Sequence, residues 1–219
     1  MVKLNHIKQV GVELEGAFEP KTDPNAPPSW PNGGIKCEGM TLTPQESDAV
    51  AAQHLIVGER NSKPYDNLNH LRSWVADFFP KIRNRSNGFH IHVSFKNDEL
   101  RKKLIASKEF HAEFLAAAKE FVGNPKYKFN NDMKERVIKG SNGYARHDFN
   151  PESRTAVHAF SHHNTCEFRL FSGSMELKQA KLVLTWLVTF VENYIDEHFM
   201  AEAFKDVGVY YKSYTGQAM

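Results

Sequence analysis

Residues 10–16 read VGVELEG, an apolar run of the kind that forms a buried strand, yet it carries two glutamates, Glu13 and Glu15. Successive strand side chains point to opposite faces, so residues two apart share a face at a spacing of roughly 6–7 Å. Leu14 then faces one side and both carboxylates face the other. At an effective dielectric of about 20, two like charges so placed repel by roughly 2–3 kcal/mol. The pair is therefore either a solvated face or a cation site, and the rest of the chain has to decide between the two.

Two later segments repeat the device. GFHIHVSF, residues 88–95, puts His90 and His92 on one face with Ile91 between them. TCEFRLF, residues 165–171, does the same with Glu167 and Arg169 around Phe168. Each segment offers its apolar residue to a core and its polar pair to the other side of a sheet. Carboxylates are hard oxygen donors suited to Mg²⁺ or Mn²⁺, and a neutral imidazole can complete such a shell. Arg169 cannot ligate a cation, but its planar fork suits a phosphate or carboxylate. Three such pairs predict metal-assisted phosphoryl transfer on one face of one sheet.

Around these segments the chain reads as α+β. Apolar spacing through Leu68, Leu71, Val75, Phe78 and Phe79 predicts a helix with Asp66 as its cap and Pro80 as its stop. A second helical region runs from Asn97 to Val122, broken near Ser107 and ended by Gly123. A long amphipathic helix, or two, follows over Glu176–Lys205, with Leu182, Trp186, Phe190 and Tyr194 on one stripe. GIKCEGMTLTP and QHLIVGER read as β-like segments separated by a polar stretch, and TAVHAF and TCEFRLF as a hairpin joined by SHHN. Strands and helices do not alternate as regular βαβ units, so the expected fold is a mostly antiparallel sheet with helices on one face. One domain over 1–219 is expected, with a Pro-rich loop at about 19–34 and a basic loop region with one short helix at about 124–154.

Composition narrows the function classes. Lys and Arg number 28 against 26 Asp and Glu, a net charge of +2, so there is no wholesale electrostatic case for nucleic acid or membrane. Cys37 and Cys166 form no disulfide framework and no C-x-x-C motif, and Cys166 alternates toward the core as an inert thiol. The start, MVKLNHIKQV, lacks the apolar core of a secretory signal, and the run LVLTWLVTFV at 182–191 is too short for a bilayer. A cytoplasmic, non-membrane protein is expected. A hydrolase or cupin-like site built on His90 and His92 is disfavoured, because those patterns want acidic residues where Ser94 and Lys96 stand. His162 and His163 fall in a turn and read as solvent-exposed, and His158 as a core or sheet-face residue. Lys134, Arg136 and Lys139 read as a solvated charged stretch.

GVELEG, GFHIHVS and TCEFRLFSGS, in that order, resemble the three signature strands of the glutamine synthetase and glutamate-cysteine ligase superfamily, and in pattern its small amidoligase members. The resemblance spans residues 11 to about 174 and implies a curved, mostly antiparallel sheet whose concave face holds ATP with divalent cations, Mg²⁺ or Mn²⁺. It implies a carboxylate-amine ligase that activates a carboxylate as an acyl phosphate and lets an amine displace the phosphate. By motif, Glu13, Glu15, His90 and Glu167 become cation ligands, His92 lies near the nucleotide phosphates, and Arg169 stabilises the transferred phosphoryl group. Glu59 in IVGERNS matches a further acidic ligand, with Glu38 in CEGM as the alternative; Arg146 and Arg154 are candidates for contact with substrate or phosphate. The same scaffold would also suit a guanidino-type phosphotransferase or a non-catalytic nucleotide- and metal-binding relative. Small-molecule or peptide carboxylates and amines are the partners implied.

Overall fold

Strands β1 (Ile7–Phe18), β2 (Ile56–Asn61), β3 (Gly88–Phe95), β4 (Val157–Phe160) and β5 (Thr165–Ser172) form one antiparallel sheet in the order β2-β1-β3-β5-β4. The computed structural model describes residues 3–26, 29–37, 39–140, 146–150, 155–160 and 164–200. The three motif strands β1, β3 and β5 are direct neighbours, although long stretches of chain separate them in sequence. Alternation sets the faces. Val10, Val12 and Leu14 of β1, Phe89, Ile91 and Val93 of β3, and Phe168 of β5 are buried on the apolar side.

That side is covered by helices α3 (Leu68–Asp77), α5 (Lys108–Gly123) and α7 (Leu177–Ile195). The contact is largely aromatic. Phe114 of α5 lies 5.1 Å from Phe168 edge-on, Phe110 lies 4.8 Å from Tyr194, and Phe121 stacks on Trp186 at 4.7 Å. Helix α7 is also tied to the sheet by polar bonds. Its buried Glu192 accepts the backbone N–H groups of His6 and Ile7, both at 3.0 Å, so the start of β1 is satisfied by a helix rather than by another strand.

The segment between β1 and β2 is better fastened than its prolines suggest. Arg60 points to the apolar side of β2, 1% exposed, and donates to the carbonyls of Glu19, Lys21 and Gly33. Its guanidinium lies over the rings of Phe18 and Phe78 at 5.5 and 4.9 Å. Asp23 accepts from the indole of Trp74 at 2.9 Å. Within this stretch Pro31–Gly34 forms a single helical turn, α1, with Asn32 and Gly33 at positive φ.

Several local expectations change. The stretch 44–52 is a helix, α2 (Pro44–Ala52), where the sequence reading left a polar spacer. A capping box was its signal: Thr43 accepts from the Glu46 N–H while Glu46 accepts from the Thr43 N–H, with Pro44 in the first turn. Among the described residues the GIKCEGM segment contributes to the sheet only the bridge from Lys36 to Glu59. It can approach because Gly58 has no Cβ, which would sit 2.3 Å from the Lys36 carbonyl. Asn67, not Asp66, caps α3, accepting from the N–H groups of Asn69 and His70. Ser107 performs as the sequence indicates, ending α4 (Asp98–Ala106) and capping α5 through Phe110 N–H. Downstream, a 3₁₀ turn at Pro125–Tyr127, α6 (Asn131–Lys134) and a π turn at Glu135–Lys139 stand in the first half of the region expected to be loop with one short helix. Among the described residues no helix is long and apolar enough to cross a membrane.

Phe114 contacts both the sheet and α7, and it is fully buried. Phe114→Ala is expected to cost about 3–5 kcal/mol of unfolding free energy, as aromatic truncations in packed cores do. Urea denaturation followed by circular dichroism checks this, and a cost under about 1 kcal/mol would contradict the packing described.

Candidate functional site

The second face of the sheet gathers the polar pairs. Register places Glu13 of β1 opposite His90 of β3, Glu15 opposite Glu59 of β2, and His92 opposite Glu167 of β5. Glu13 is the hub: one carboxylate oxygen lies 2.9 Å from His90 Nδ1 and the other 2.9 Å from His92 Nε2. His90 Nδ1 is also 3.4 Å from Glu167 Oε1, and His90 Nε2 is 3.8 Å from Glu15. One ligand atom each from Glu13, His92 and Glu167 falls within 4.8 Å of the others, the spacing of a shared cation site.

Glycines and a bulge make this crowding possible. A Cβ on Gly88 would meet His90 Nε2 at 2.3 Å, so the imidazole lies back over the glycine two residues before it, and Gly88 N–H donates to Glu15. Across the other edge of β3, Ile91 pairs with Phe168 but Phe89 pairs with Phe171, so β5 carries one extra residue opposite His90. The bulge keeps Phe168 and Phe171 both in contact with Phe114 on the apolar side. It also seats Arg169 on the polar side, where its guanidinium is hydrogen-bonded to Glu167 Oε1.

Electrostatics favour a positive guest. Glu13, Glu15, Glu59 and Glu167 are largely withdrawn from water together, the last with 0% exposure. Glu167 Oε1 is shared by Arg169 and His90, whereas the buried Oε2 has no hydrogen-bond partner among the described residues. An orphaned carboxylate oxygen of this kind is costly and is the donor a divalent cation would use. The residues thus fit Mg²⁺ or Mn²⁺. Burial by itself raises the Glu13 carboxyl, but hydrogen bonds and charge from His90 and His92 outweigh it and hold the pKa well below the usual carboxylate range. Burial likewise disfavours the His92 imidazolium, and the Glu13 contact, with Glu167 behind it, reverses that and raises its pKa.

Two cavities meet at Glu13. The smaller, about 360 Å³, is lined by Glu13, Glu15, Glu59, His90, Arg136 and Arg169 among others. The larger, about 810 Å³, lies toward the start of β1 and the end of β3, where Glu13 and His92 share its wall with Trp30, Phe95 and Ser94. The expected metal-site residues Glu13, Glu15, Glu59, His90 and Glu167 thus converge, and so do His92 and Arg169. Arg146 does not: it is exposed, 3.4 Å from Asp148, and lines neither cavity. Arg154, Glu38, His162 and His163 lie outside the described residues. Cys166 is buried as expected, and burial pushes its thiol pKa up.

Arg136 is the functional candidate that sequence reading missed. The charged stretch around it reads as solvated, but the π turn buries Arg136 and Val137 while Lys139 stays exposed. The period of a π turn differs from that of an α-helix, so charge alternation along the sequence gave no signal. Thr165, whose Oγ1 lies 3.2 Å from His92 Nδ1, was also missed because the sequence reading placed it only as a strand residue. Comparison of the chain with protein-family models, with characterised proteins and with solved structures finds no match.

The pKa directions give a pH test on chelator-treated protein. A depressed Glu13 pKa adds stability above its unfolded value of 4.5, lost as the pH falls toward the folded value. A raised His92 pKa adds stability that is complete below the unfolded value of 6.5 and is lost as pH rises through the folded one. Urea midpoints between about pH 3 and 9 should therefore fall at both ends, and Glu13→Gln should flatten both slopes. Superimposable profiles for wild type and variant would show that the hub contributes nothing.

Proposed function

We propose that the protein is an ATP-dependent carboxylate-amine ligase with a sheet of the glutamine synthetase and glutamate-cysteine ligase type, working with Mg²⁺ or Mn²⁺. The observation that carries the reading is the convergence of four carboxylates, two imidazoles and the Arg169 guanidinium on one sheet face, with Arg136 of the π turn beside them at the smaller of two cavities. Three motif strands that the sequence relates only by order lie side by side with their polar pairs aligned. Glu13, Glu167 and the histidines would hold one cation, and Glu15 with Glu59 would serve a second. Such ions neutralise phosphate oxygens as charge develops on them.

The larger cavity has the volume and the mixed lining for a nucleoside. Trp30 offers a ring face, Asn25, Ser62 and Ser94 offer hydrogen bonds, and Lys63 offers charge. A triphosphate entering from that side would reach Glu13 and His92 first, and Arg169, on the wall of the smaller cavity, would receive the γ-phosphoryl group. In the reaction the acid's carboxylate oxygen attacks that phosphorus, ADP leaves, and an acyl phosphate results. The amine then attacks the acyl carbon, loses a proton and expels inorganic phosphate. Glu15 or Glu59, beside the smaller cavity, supplies an acceptor for that proton.

With ATP, Mn²⁺ and a library of acids and amines, mass spectrometry should find an adduct lighter by one water than the sum of its parts. Glu13→Gln and Glu167→Gln are expected to abolish its formation with the fold retained, since both side chains stand on the polar face of the sheet, opposite the apolar core. Arg169→Ala should lower the rate by about 2.7–4 kcal/mol in activation free energy, the loss of one preorganised charge stabiliser. A phosphorylated nitrogen instead of an amide would identify a phosphotransferase. Full turnover in both glutamine variants would remove the ligase reading.

A further inference from the structure

A further cavity, of about 370 Å³, lies between α3, α7 and the chain that leads into β1. Lys3, Asp66, Asn69 and Arg72 wall it, with Leu68 and Thr185 among the rest, and none of its residues lines either cavity of the candidate site. Its charges differ from others on this surface. Arg101 pairs with Asp98, Lys102 with Glu99 and Lys139 with Glu135, each within a turn of helix. Lys3, Asp66 and Arg72 make no side-chain hydrogen bond and no ion pair among the described residues. Arg72 is partly buried, and its Nε is buried outright with no acceptor, a costly state for a donor. Opposite charges that line one cavity without touching are held apart by it, and the gap fits a guest carrying the complementary groups. The N-terminus of α3 adds little, because the Asn67 side chain already accepts from the amides of Asn69 and His70.

We propose that this cavity is a binding site for a free acidic amino acid, separate from the candidate active site and independent of the ligase reading. Charge selects the class. Lys3 and Arg72 against Asp66 leave the wall one positive charge in excess, and an acidic amino acid, with two carboxylates and one ammonium, is its complement. Arg72 takes one carboxylate in its planar fork, Lys3 takes the other, and Asp66 accepts the ammonium. Thr185 Oγ1 donates to the Lys181 carbonyl at 2.9 Å, so what it presents to the cavity is an acceptor, which suits the ammonium as well. Asn69 adds a polar group and Leu68 an apolar wall. Volume selects the size, since about 370 Å³ lies at the small end of ligand cavities and fits an amino acid but not a nucleotide. A dicarboxylate without an ammonium would leave Asp66 facing like charge, and a neutral amino acid would leave one cation unmatched.

L-Aspartate and succinate are titrated separately by calorimetry into wild type, Arg72→Gln and Asp66→Asn. Aspartate is expected to bind wild type, and to bind each variant about tenfold or more weakly, as loss of a charge-assisted contact dictates. Succinate has the two carboxylates without the ammonium, so Asp66→Asn should bind it at least as tightly as wild type does. Equal aspartate affinity in all three proteins, or no binding to wild type at millimolar ligand, overturns the proposal. So does a loss in Asp66→Asn that is the same for both ligands, because no ammonium contact would then exist. Both variants alter side chains that make no bonds in the folded protein, and nuclear magnetic resonance on wild type locates the ligand without them. Aspartate should move the Arg72 Nε–H and Asn69 amide signals; shifts confined to Gly88 and Arg169, at the candidate active site, sink the assignment.

Discussion

Glu13 sits between two imidazoles on a surface from which water is largely withdrawn, and most of the site's geometry follows from that placement. A carboxylate in that position needs compensation, and the sheet register supplies it from β3 on one side while Glu59 and Glu15 add further negative charge on the other. Hydrogen bonds from the histidines stabilise the ionised form more than burial opposes it. The excess of carboxylate over guanidinium remains, and it is concentrated where two cavities meet. An arrangement of that sign in a low-dielectric site attracts cations far more strongly than an exposed acidic patch.

The apolar face supports this indirectly. Close aromatic packing of Phe110, Phe114, Phe121 and Trp186 against Phe168 and Phe171 holds β5 on both sides of its bulge. Arg169 therefore projects from a residue whose neighbours are fixed in a core, and not from a loop. At the opposite edge, Arg60 uses its buried charge structurally, drawing three carbonyls of the Pro-rich segment onto the sheet and so positioning the stretch that brings Trp30 to the larger cavity. Two buried arginines thus have different surroundings: Arg60 is held by three carbonyls and lies over two rings, while Arg136 is held by the carbonyls of Asn87 and Arg169 and lines the smaller cavity.

How much was legible beforehand depends on periodicity. The polar pairs at 13/15, 90/92 and 167/169 are visible because a strand has a period of two, which assigns faces without knowledge of neighbours. The break at Ser107 and the pairing of β4 with β5 as sequence neighbours are local too. Helix α2 was equally local, through Thr43 and Glu46, yet it buries no residue, so it lacked the apolar stripe by which helices are usually found. Arg136 had no local signal, since its burial comes from a π turn folding against β5. Arg146 was drawn toward the site by resemblance, and its place at the surface follows from contacts with Asp148 and Thr155 that no motif encodes.

The sequence by itself determined the class of the fold, the faces of the three motif strands and the chemical type of their side chains, because each of these depends on residues within a few positions of one another. Only tertiary structure decided that β1, β3 and β5 are adjacent, that Glu13 bridges His90 and His92, that Glu167 keeps one buried oxygen unengaged, and that an arginine from a π turn closes the smaller cavity. Those are facts of strand order, register and a single extra residue in β5. Register is fixed by the burial of a whole face at once, so no short window of sequence contains it.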